Sequence, residues 1–139
     1  FNMWARWLKN GDSTITLTTH ATNNINISLP SSLLEEGAAF GTYSAPEFTL
    51  TKGGIYRLEL VAQTEGTNPV VLQMQRDAGS GYALLTNCFT TNSTRSSAVA
   101  VWIGRLDSGD KLKLMGRTTT STAAVLRDTT IWSIQRMAE

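Results

Sequence analysis

The stretch Phe48-Thr49-Leu50-Thr51-Lys52-Gly53-Gly54-Ile55-Tyr56-Arg57-Leu58 contains the pattern that decides the fold class. Apolar and polar side chains alternate before the glycine pair and again after it, as far as Ala62. Alternation with a period of two is typical of a β-strand that buries one face. Glycine supplies the positive backbone angles that a tight turn requires. We therefore predict two strands, at residues 48–51 and 55–62, joined by a tight hairpin at residues 52–54.

The same pattern extends along the rest of the chain. Two more hairpins are predicted where turn clusters separate apolar segments, and they are residues 70–76 with 82–89 and residues 98–106 with 111–115. The other predicted strands are residues 3–9, 13–18, 24–29 and 129–137. Residues 30–41, bounded by proline and glycine, are predicted to be a loop. About nine or ten short strands with no long helical stripe are typical of an all-β sandwich or barrel.

Composition supports an all-β domain and excludes several functions. Of the 139 residues, 41% are hydrophobic and only 17% are charged, while threonine (20) and serine (12) are abundant. Threonine is β-branched and suits a half-exposed sheet, whereas disordered chains and coiled coils have other compositions. The net charge of +1 leaves no excess to neutralise a phosphate backbone. Since no apolar run approaches about 18 residues either, we expect no nucleic-acid partner and no membrane insertion.

The length of the chain and its first residue suggest how it is organised. A chain of 139 residues is expected to form one domain, residues 1–139. It begins at Phe1, without an initiator methionine or a charged and apolar leader. We therefore expect further sequence before Phe1 in the full protein.

Several predicted strands are apolar on both alternating faces. In residues 98–103, two alanines and Trp102 alternate with Val99, Val101 and Ile103, and the first and last strands show the same feature. A strand of a monomeric sandwich hides one face and wets the other, so a second hidden face indicates a partner subunit. The predicted interface residues are Trp4, Trp7, Trp102, Ile131 and Trp132.

Four short motifs, spread over most of the chain, resemble those of a known superfamily. They are the run from Phe40 to Leu50, then Gly54-Ile55-Tyr56-Arg57-Leu58, then Leu106-Asp107-Ser108-Gly109-Asp110-Lys111-Leu112, and finally Thr130-Ile131-Trp132-Ser133-Ile134. In this order they resemble the tumour necrosis factor-like (TNF-like) superfamily, and most closely its complement-head branch. Leu58 departs from the pattern, because an aromatic residue is usual there.

The resemblance implies a particular architecture and assembly. It implies an all-β jelly-roll sandwich of about ten strands that forms a homotrimer. The inner sheet would combine the first and last strands with residues 55–62 and 98–106, which are largely the strands that are apolar on both faces. Such heads usually end a stalk, so residues 1–139 are expected to be the C-terminal head of a longer fibrous protein. By analogy of composition, the low aromatic content of 8% looks like heads on bacteriophage tail fibres or bacterial surface filaments.

Residues that support catalysis or metal binding are sparse. His20 is the only histidine, which excludes a site with two histidines. Cys88 lies in an alternating apolar segment, which predicts a buried and inert thiol. Asp107 and Asp110 share a turn, where a calcium ion is a weak alternative to ordinary turn chemistry. We expect no enzyme activity, no cofactor and no resident metal.

Binding is the class of function that remains. Hydroxyl and amide side chains in loops can hydrogen-bond to sugars, and an aromatic ring can provide a stacking surface, although each loop taken alone also fits ordinary solvated surface. The candidate receptor or glycan residues are Tyr43, Asn68, Tyr82, Asn92, Arg95, Arg117 and Thr119. We expect a non-enzymatic trimeric head of a fibre that attaches to a cell-surface receptor, outside the cell on a virion or surface appendage. The alternatives are a structural head that trimerises and caps a fibre, and a carbohydrate-binding module attached to an enzyme.

Overall fold

The computed structural model describes residues 3–8, 13–15, 25–27, 34–35, 40–65, 69–90, 95–119, 124–126 and 130–139. All thirteen regular elements within these ranges are β-strands. The same ranges contain no helix that is long and apolar enough to cross a membrane. The strands form two antiparallel sheets, which confirms the all-β prediction.

The larger sheet has seven strands and is called the inner sheet. Its strands are β1 (Met3–Leu8), β2 (Ser13–Ile15), β4 (Leu34–Glu35), β7 (Gly54–Glu65), β10 (Arg95–Leu106), β12 (Ala124–Leu126) and β13 (Ile131–Ala138). β13 lies between β1 and β7, and β10 pairs with β7 over all twelve of its residues. The prediction that the first and last strands share a sheet with residues 55–62 and 98–106 is therefore confirmed.

The smaller sheet has six strands and is called the outer sheet. Its strands are β3 (Ile25–Asn26), β5 (Gly41–Ser44), β6 (Glu47–Leu50), β8 (Val70–Asp77), β9 (Tyr82–Phe89) and β11 (Lys111–Thr118). β11 lies between β6 and β8, and β9 follows β8 at the end of the pairing order. The edge strand β9 also contacts β10 of the inner sheet, so these two strands approach each other along one side of the sandwich.

The core lies between the sheets and takes one alternate set of side chains from each strand. On β7, the side chains of Tyr56, Leu58 and Leu60 are buried, whereas their neighbours are half-buried. Phe40 packs against Phe48 and Tyr56 as two tilted ring pairs, with centroid distances of 5.7 and 5.8 Å. Each fully buried aliphatic or aromatic side chain contributes roughly 1.5–3 kcal/mol of hydrophobic stabilisation. The period-two pattern therefore identifies the core face of β7 correctly.

Two of the three predicted hairpins are wrong. Residues 51–53 connect β6 to β7 and residues 107–110 connect β10 to β11, and in both cases the two strands belong to different sheets. These two connections, called the crossings, are joined by hydrogen bonds. The Leu50 N–H donates to the Asp110 carbonyl at 2.8 Å, and the Gly109 N–H donates to the Leu50 carbonyl at 2.7 Å. Turn residues signal a reversal of the chain, but not the sheet that the chain enters next. Only the hairpin between β8 and β9 is confirmed.

Glycine is required at position 54, where the chain enters β7. Gly54 has a φ of +154°, and a Cβ there would collide with the Ala138 carbonyl oxygen. The last strand also binds the crossing directly, since Arg136 donates from Nε and Nη2 to the Gly53 carbonyl at 3.0 and 2.6 Å. The glycine pair thus allows two strands to meet closely, rather than forming a hairpin.

The predicted loop at residues 30–41 also differs from the structure. It contains β4, which pairs with β1 through Ala5 opposite Glu35 and Arg6 opposite Leu34. The prediction missed this strand because its pairing depends on β1, which is distant in the sequence. The strands predicted at residues 13–18 and 24–29 are described only over Ser13–Ile15 and Ile25–Asn26.

Candidate functional site

One face of the inner sheet points away from the outer sheet and is called the outward face. Its described side chains include Ile55, Arg57, Glu59, Val61, Gln63, Ser97, Val99, Val101, Ile103, Arg105, Ile131, Ser133 and Gln135. On β10, Val99, Val101 and Ile103 are 58%, 42% and 58% exposed. A row of exposed aliphatic side chains is unfavourable in water, and contiguous apolar surface commonly marks an interaction site. The outward face therefore has the composition of a surface that a partner covers.

The register arranges this face into an apolar row and a polar centre. Val99 pairs with Val61, and Val61 pairs with Ile131, so three aliphatic residues lie side by side across three strands. In the polar centre, Arg57 Nη2 and Glu59 Oε2 form an ion pair of 2.6 Å. Both side chains are partly exposed, so this pair stabilises the single chain only slightly. This ion pair is neutral overall and by itself adds no repulsion between two copies of the face.

The interface prediction for Trp132 is wrong. Trp132 is 1% exposed and belongs to the core cluster between the sheets. Trp102 also lies on the inward side of its strand, half-buried against the core, with its ring over Gly104. Alternation shows that both faces of these strands are apolar, but the size of a side chain does not show which face meets a partner. The largest side chains fill the core because they bury the most apolar area there.

The other three predicted interface residues have different outcomes. Ile131 is half-buried on the outward face, next to Val61. The backbones of Trp4 and Trp7 lie in β1, opposite Gln135 and Trp132, but their side chains fall outside what the structure describes. The interface role of Ile131, Trp4 and Trp7 therefore stays a prediction.

Three of the predicted receptor residues, Arg95, Arg117 and Thr119, lie toward one end of the sandwich, called the loop end. Strands β7, β9 and β11 end there, and strands β8, β10 and β12 begin there. Arg117 is half-buried and Thr119 is exposed, and the Thr119 N–H donates to the Pro69 carbonyl at 3.1 Å. Arg95 begins β10 opposite Glu65. Asn68 and Asn92, like His20, lie outside the described residues.

The two predicted tyrosines do not join this group. Tyr43 is half-buried and packs against the core, and its role as a receptor residue stays a prediction. Tyr82 begins β9 opposite Asp77, roughly 20–25 Å along the eight-residue β8 from the loop end. Its hydroxyl donates to Glu47, and Lys113 Nζ lies 3.8 Å from the centre of its ring. Burial, followed by the hydrogen bond to Glu47, raises the pKa of Tyr82 well above its ordinary value.

The turn that contains Asp107 and Asp110 is organised by an arginine. Arg76 donates from Nε to Asp110 Oδ2 at 2.8 Å, and its Nη2 lies 2.6 Å from the same oxygen and 3.5 Å from Asp107 Oδ2. The Asp107 N–H also donates to Asp110 Oδ2 at 2.8 Å. A guanidinium already occupies the place that a calcium ion would need, so these contacts favour a structural role. The described residues contain no group of three or more His, Cys, Asp or Glu that could hold a metal ion.

Cys88 is buried and unpaired with another cysteine, as the sequence predicts. Burial raises the pKa of its thiol from an ordinary value of 9.0 to about 11. The thiolate is the nucleophilic form of cysteine, so the folded protein holds this group in its inert state.

The raised pKa of Cys88 predicts a specific loss of stability in alkali. Between pH 9 and pH 11 the unfolded chain releases the thiol proton while the folded chain retains it. The free energy of unfolding therefore falls as pH rises through this window, by at most about 1.4 kcal/mol per pH unit. Denaturant unfolding at pH 8, 9, 10 and 11 measures this slope. The variant Cys88→Ala lacks the thiol but retains Tyr56, whose pKa is raised to about 12 mainly by burial. A slope that is identical in the two proteins contradicts the prediction.

The sequence reasoning missed two exposed side chains on the outer sheet. Phe89 and Leu84 lie on β9 and are 62% and 51% exposed. A usable signal existed for Phe89, because it follows the buried Cys88 directly in an alternating strand and so points to the other side. Leu84 could not be placed in this way, since a register irregularity between Met74 and Gln75 of β8 interrupts the alternation beside it.

The two sheets, their strand order and the crossings between them define the fold. It is a jelly-roll sandwich similar to solved TNF and complement-head structures, which confirms the fold that the sequence resemblance implies. No protein-family model and no curated protein matches the chain.

Solved structures share this fold at low sequence identity. The structure of Eiger TNF from S. frugiperda has a TM-score of 0.71 and 13% identity, covering 99% of this chain and 94% of that chain. The crystal structure of murine APRIL at pH 8.0 has a TM-score of 0.75 and 11% identity, covering 99% of this chain and all of that chain. The globular domain of zebrafish complement 1qA protein has a TM-score of 0.71 and 13% identity, covering 100% and 99% of the two chains.

Proposed function

We propose that the chain is the non-enzymatic, trimeric head of a fibre and that it attaches to a glycan receptor on a cell surface. The observation that carries the proposal is the outward face of the inner sheet, where Val99, Val101 and Ile103 are exposed in the single chain. The sequence resemblance to TNF-like and complement heads implies a homotrimer, and the outward face is a surface that a second copy can cover.

The partner on this face is a second copy of the chain because the face suits self-association. Its apolar row excludes water when covered, and its one described ion pair, Arg57 with Glu59, is neutral overall. The whole chain carries a net charge of only +1, so three copies repel one another weakly. A trimer presents three equal sites on one rigid head, and such a head gains avidity even when each site is weak.

The loop end is the receptor-binding end in this proposal. Strands β7, β9 and β11 end there, and the sheets hold residues such as Arg117 and Thr119 in fixed positions. Asn68, Asn92 and Arg95 are proposed to act in the same region. The fibre, and a location outside the cell on a virion or surface appendage, rest on the resemblance and on the threonine-rich composition.

The self-association is tested by placing a charge in the exposed aliphatic row. Val101 pairs with Glu59, so Val101→Glu puts two carboxylates side by side on a face that the trimer buries. Light scattering is expected to give about three times 15.1 kDa for the parent protein and 15.1 kDa for the variant, with unchanged circular dichroism. Lys111→Glu, on an exposed residue of the outer sheet, is the control and keeps the mass of the parent. A parent protein that is a stable monomer contradicts the proposal and favours the carbohydrate-binding module.

Receptor binding is tested with an immobilised panel of neutral and acidic glycans. The labelled head is expected to bind members of the panel, and the monomeric variant Val101→Glu is expected to bind them more weakly through the loss of avidity. A trimer that binds no member of the panel contradicts the glycan receptor and favours a structural cap.

A further inference from the structure

Phe89 is an exposed aromatic ring on a rigid part of the outer sheet. It is 62% exposed at the end of β9, and its register partner Val71 is only 3% exposed. The next residue, Thr90, fixes the backbone here in two ways. Its N–H donates to the Val70 carbonyl at 2.9 Å, and its Oγ1 accepts from the Val70 N–H at 2.9 Å. A ring held on such a fixed backbone loses little conformational entropy when it binds a ligand.

Planar amide groups lie beside this ring on the same face of the outer sheet. Asn87 is exposed, precedes Phe89 by two residues, and pairs with Gln73 of β8. Gln75 Nε2 donates to Gln73 Oε1 at 2.9 Å, which orients the two side chains along the strand. Leu84 of β9 lies opposite Gln75 in the register and is 51% exposed. The face therefore carries a row of amides with an apolar group at each end, about 15 Å apart.

The charges on this face nearly balance. Glu47 accepts the hydrogen bond of Tyr82, and Lys113 covers the ring of the same tyrosine. Asp77 accepts hydrogen bonds from the N–H groups of Gly79 and Gly81 at 2.7 and 3.1 Å. It also lies opposite Lys111 in the strand register. Two carboxylates thus face two ammonium groups. Arg117, in the same row as Val71 and Phe89, adds one positive charge, which is too little to hold a polyanion. Uncharged ligands rich in hydroxyl groups match a surface of amides and one aromatic ring.

We propose that Phe89 is the stacking surface of a site for an uncharged oligosaccharide, with Asn87 and Gln73 bonding to its hydroxyl groups. The C–H face of a sugar ring is apolar and packs on an aromatic ring, while amides both donate to and accept from hydroxyls. The site deepens the proposed glycan-binding function, on which it rests, because it names the surface and the class of sugar. It lies next to the loop end, so Arg117 and Thr119 are within the same region of the head.

The site is tested with the parent head, Phe89→Ala and Phe89→Trp on the glycan panel, and by titration with maltohexaose, cellohexaose and mannohexaose. The parent and Phe89→Trp are expected to bind uncharged glycans, and Phe89→Ala to lose about tenfold or more in affinity. Asn87→Ala is expected to lose affinity as well, whereas Thr42→Ala, on an exposed residue of β5 in the same sheet, keeps it.

Three outcomes overturn the site, and they differ from a failure of the proposed function. Phe89→Ala with unchanged glycan affinity places the receptor site elsewhere on a head that still binds glycans. Binding that is restricted to acidic glycans also places the receptor site elsewhere on a head that still binds glycans. A mass below that of the parent for Phe89→Ala assigns the ring to the contact between copies. Only the absence of binding to every member of the panel rejects the glycan receptor itself.

Discussion

Replacing Trp132 by alanine is expected to lower the free energy of unfolding by about 3–5 kcal/mol. Trp132 is 1% exposed and lies in the core with Leu60 and Ile134. Removing an indole there loses its transfer free energy and leaves a cavity that the two sheets close only in part. Since domains are stable by roughly 5–15 kcal/mol, this single change removes a large share of the total. Denaturant unfolding followed by far-ultraviolet circular dichroism measures it.

The matched control for Trp132→Ala is its neighbour on the same strand. Ser133 is half-buried on the outward face, and Ser133→Ala is expected to change stability by less than about 0.5 kcal/mol. All proteins are compared at one concentration, because self-association adds to apparent stability. If Trp132→Ala leaves the protein unfolded in buffer, Trp132→Phe gives a smaller and measurable loss. A Trp132→Ala variant that keeps its stability but loses its trimeric mass contradicts the core assignment.

Replacing Asp110 by alanine is expected to cost about 3 kcal/mol of stability. Asp110 is buried, and its Oδ2 accepts from Arg76 Nε and from the Asp107 N–H, both at 2.8 Å. The variant leaves the Arg76 guanidinium mostly buried, with only the Asp107 carboxylate at 3.5 Å beside it. Unfolding in urea measures the loss of stability.

A second substitution at Asp110 separates its charge from its role in the turn. Asp110→Asn removes the charge but keeps an oxygen that can accept from the Asp107 N–H. We expect its cost to lie between zero and that of Asp110→Ala. The double variant Arg76→Gln with Asp110→Asn is expected to recover part of the loss, because no buried charge then lacks its partner. A loss below about 1 kcal/mol for Asp110→Ala would falsify the assignment of Arg76 and Asp110 as an anchor of the crossing.

The core face of β7, and that of β9 around Cys88, could be predicted from alternation alone. On β7 the apolar set of Tyr56, Leu58 and Leu60 is the buried set, and Cys88 is buried on β9. The grouping of the first and last strands with β7 and β10 followed from their shared two-sided apolar pattern and from the resemblance. These features depend on the period of the sequence and on burial, which are local properties.

The partners of the turns and the role of the tryptophans could not be predicted in this way. Residues 52–54 and 107–110 carry ordinary turn residues, yet both cross between sheets and are held by Leu50, Asp110 and Arg136. Those contacts join residues that are far apart in the chain. For the same reason, the sequence showed that β10 and β13 are apolar on both sides, but not which side holds the core.

The sequence by itself therefore determined an all-β fold with low charge and with strands whose apolar residues alternate. Only the tertiary structure decided that Trp132 lies inside while Val99, Val101 and Ile103 lie outside, and that Phe89 stands beside Asn87 and Gln73. The physical reason is that alternation divides a strand into two faces, while packing against a second sheet selects one of them.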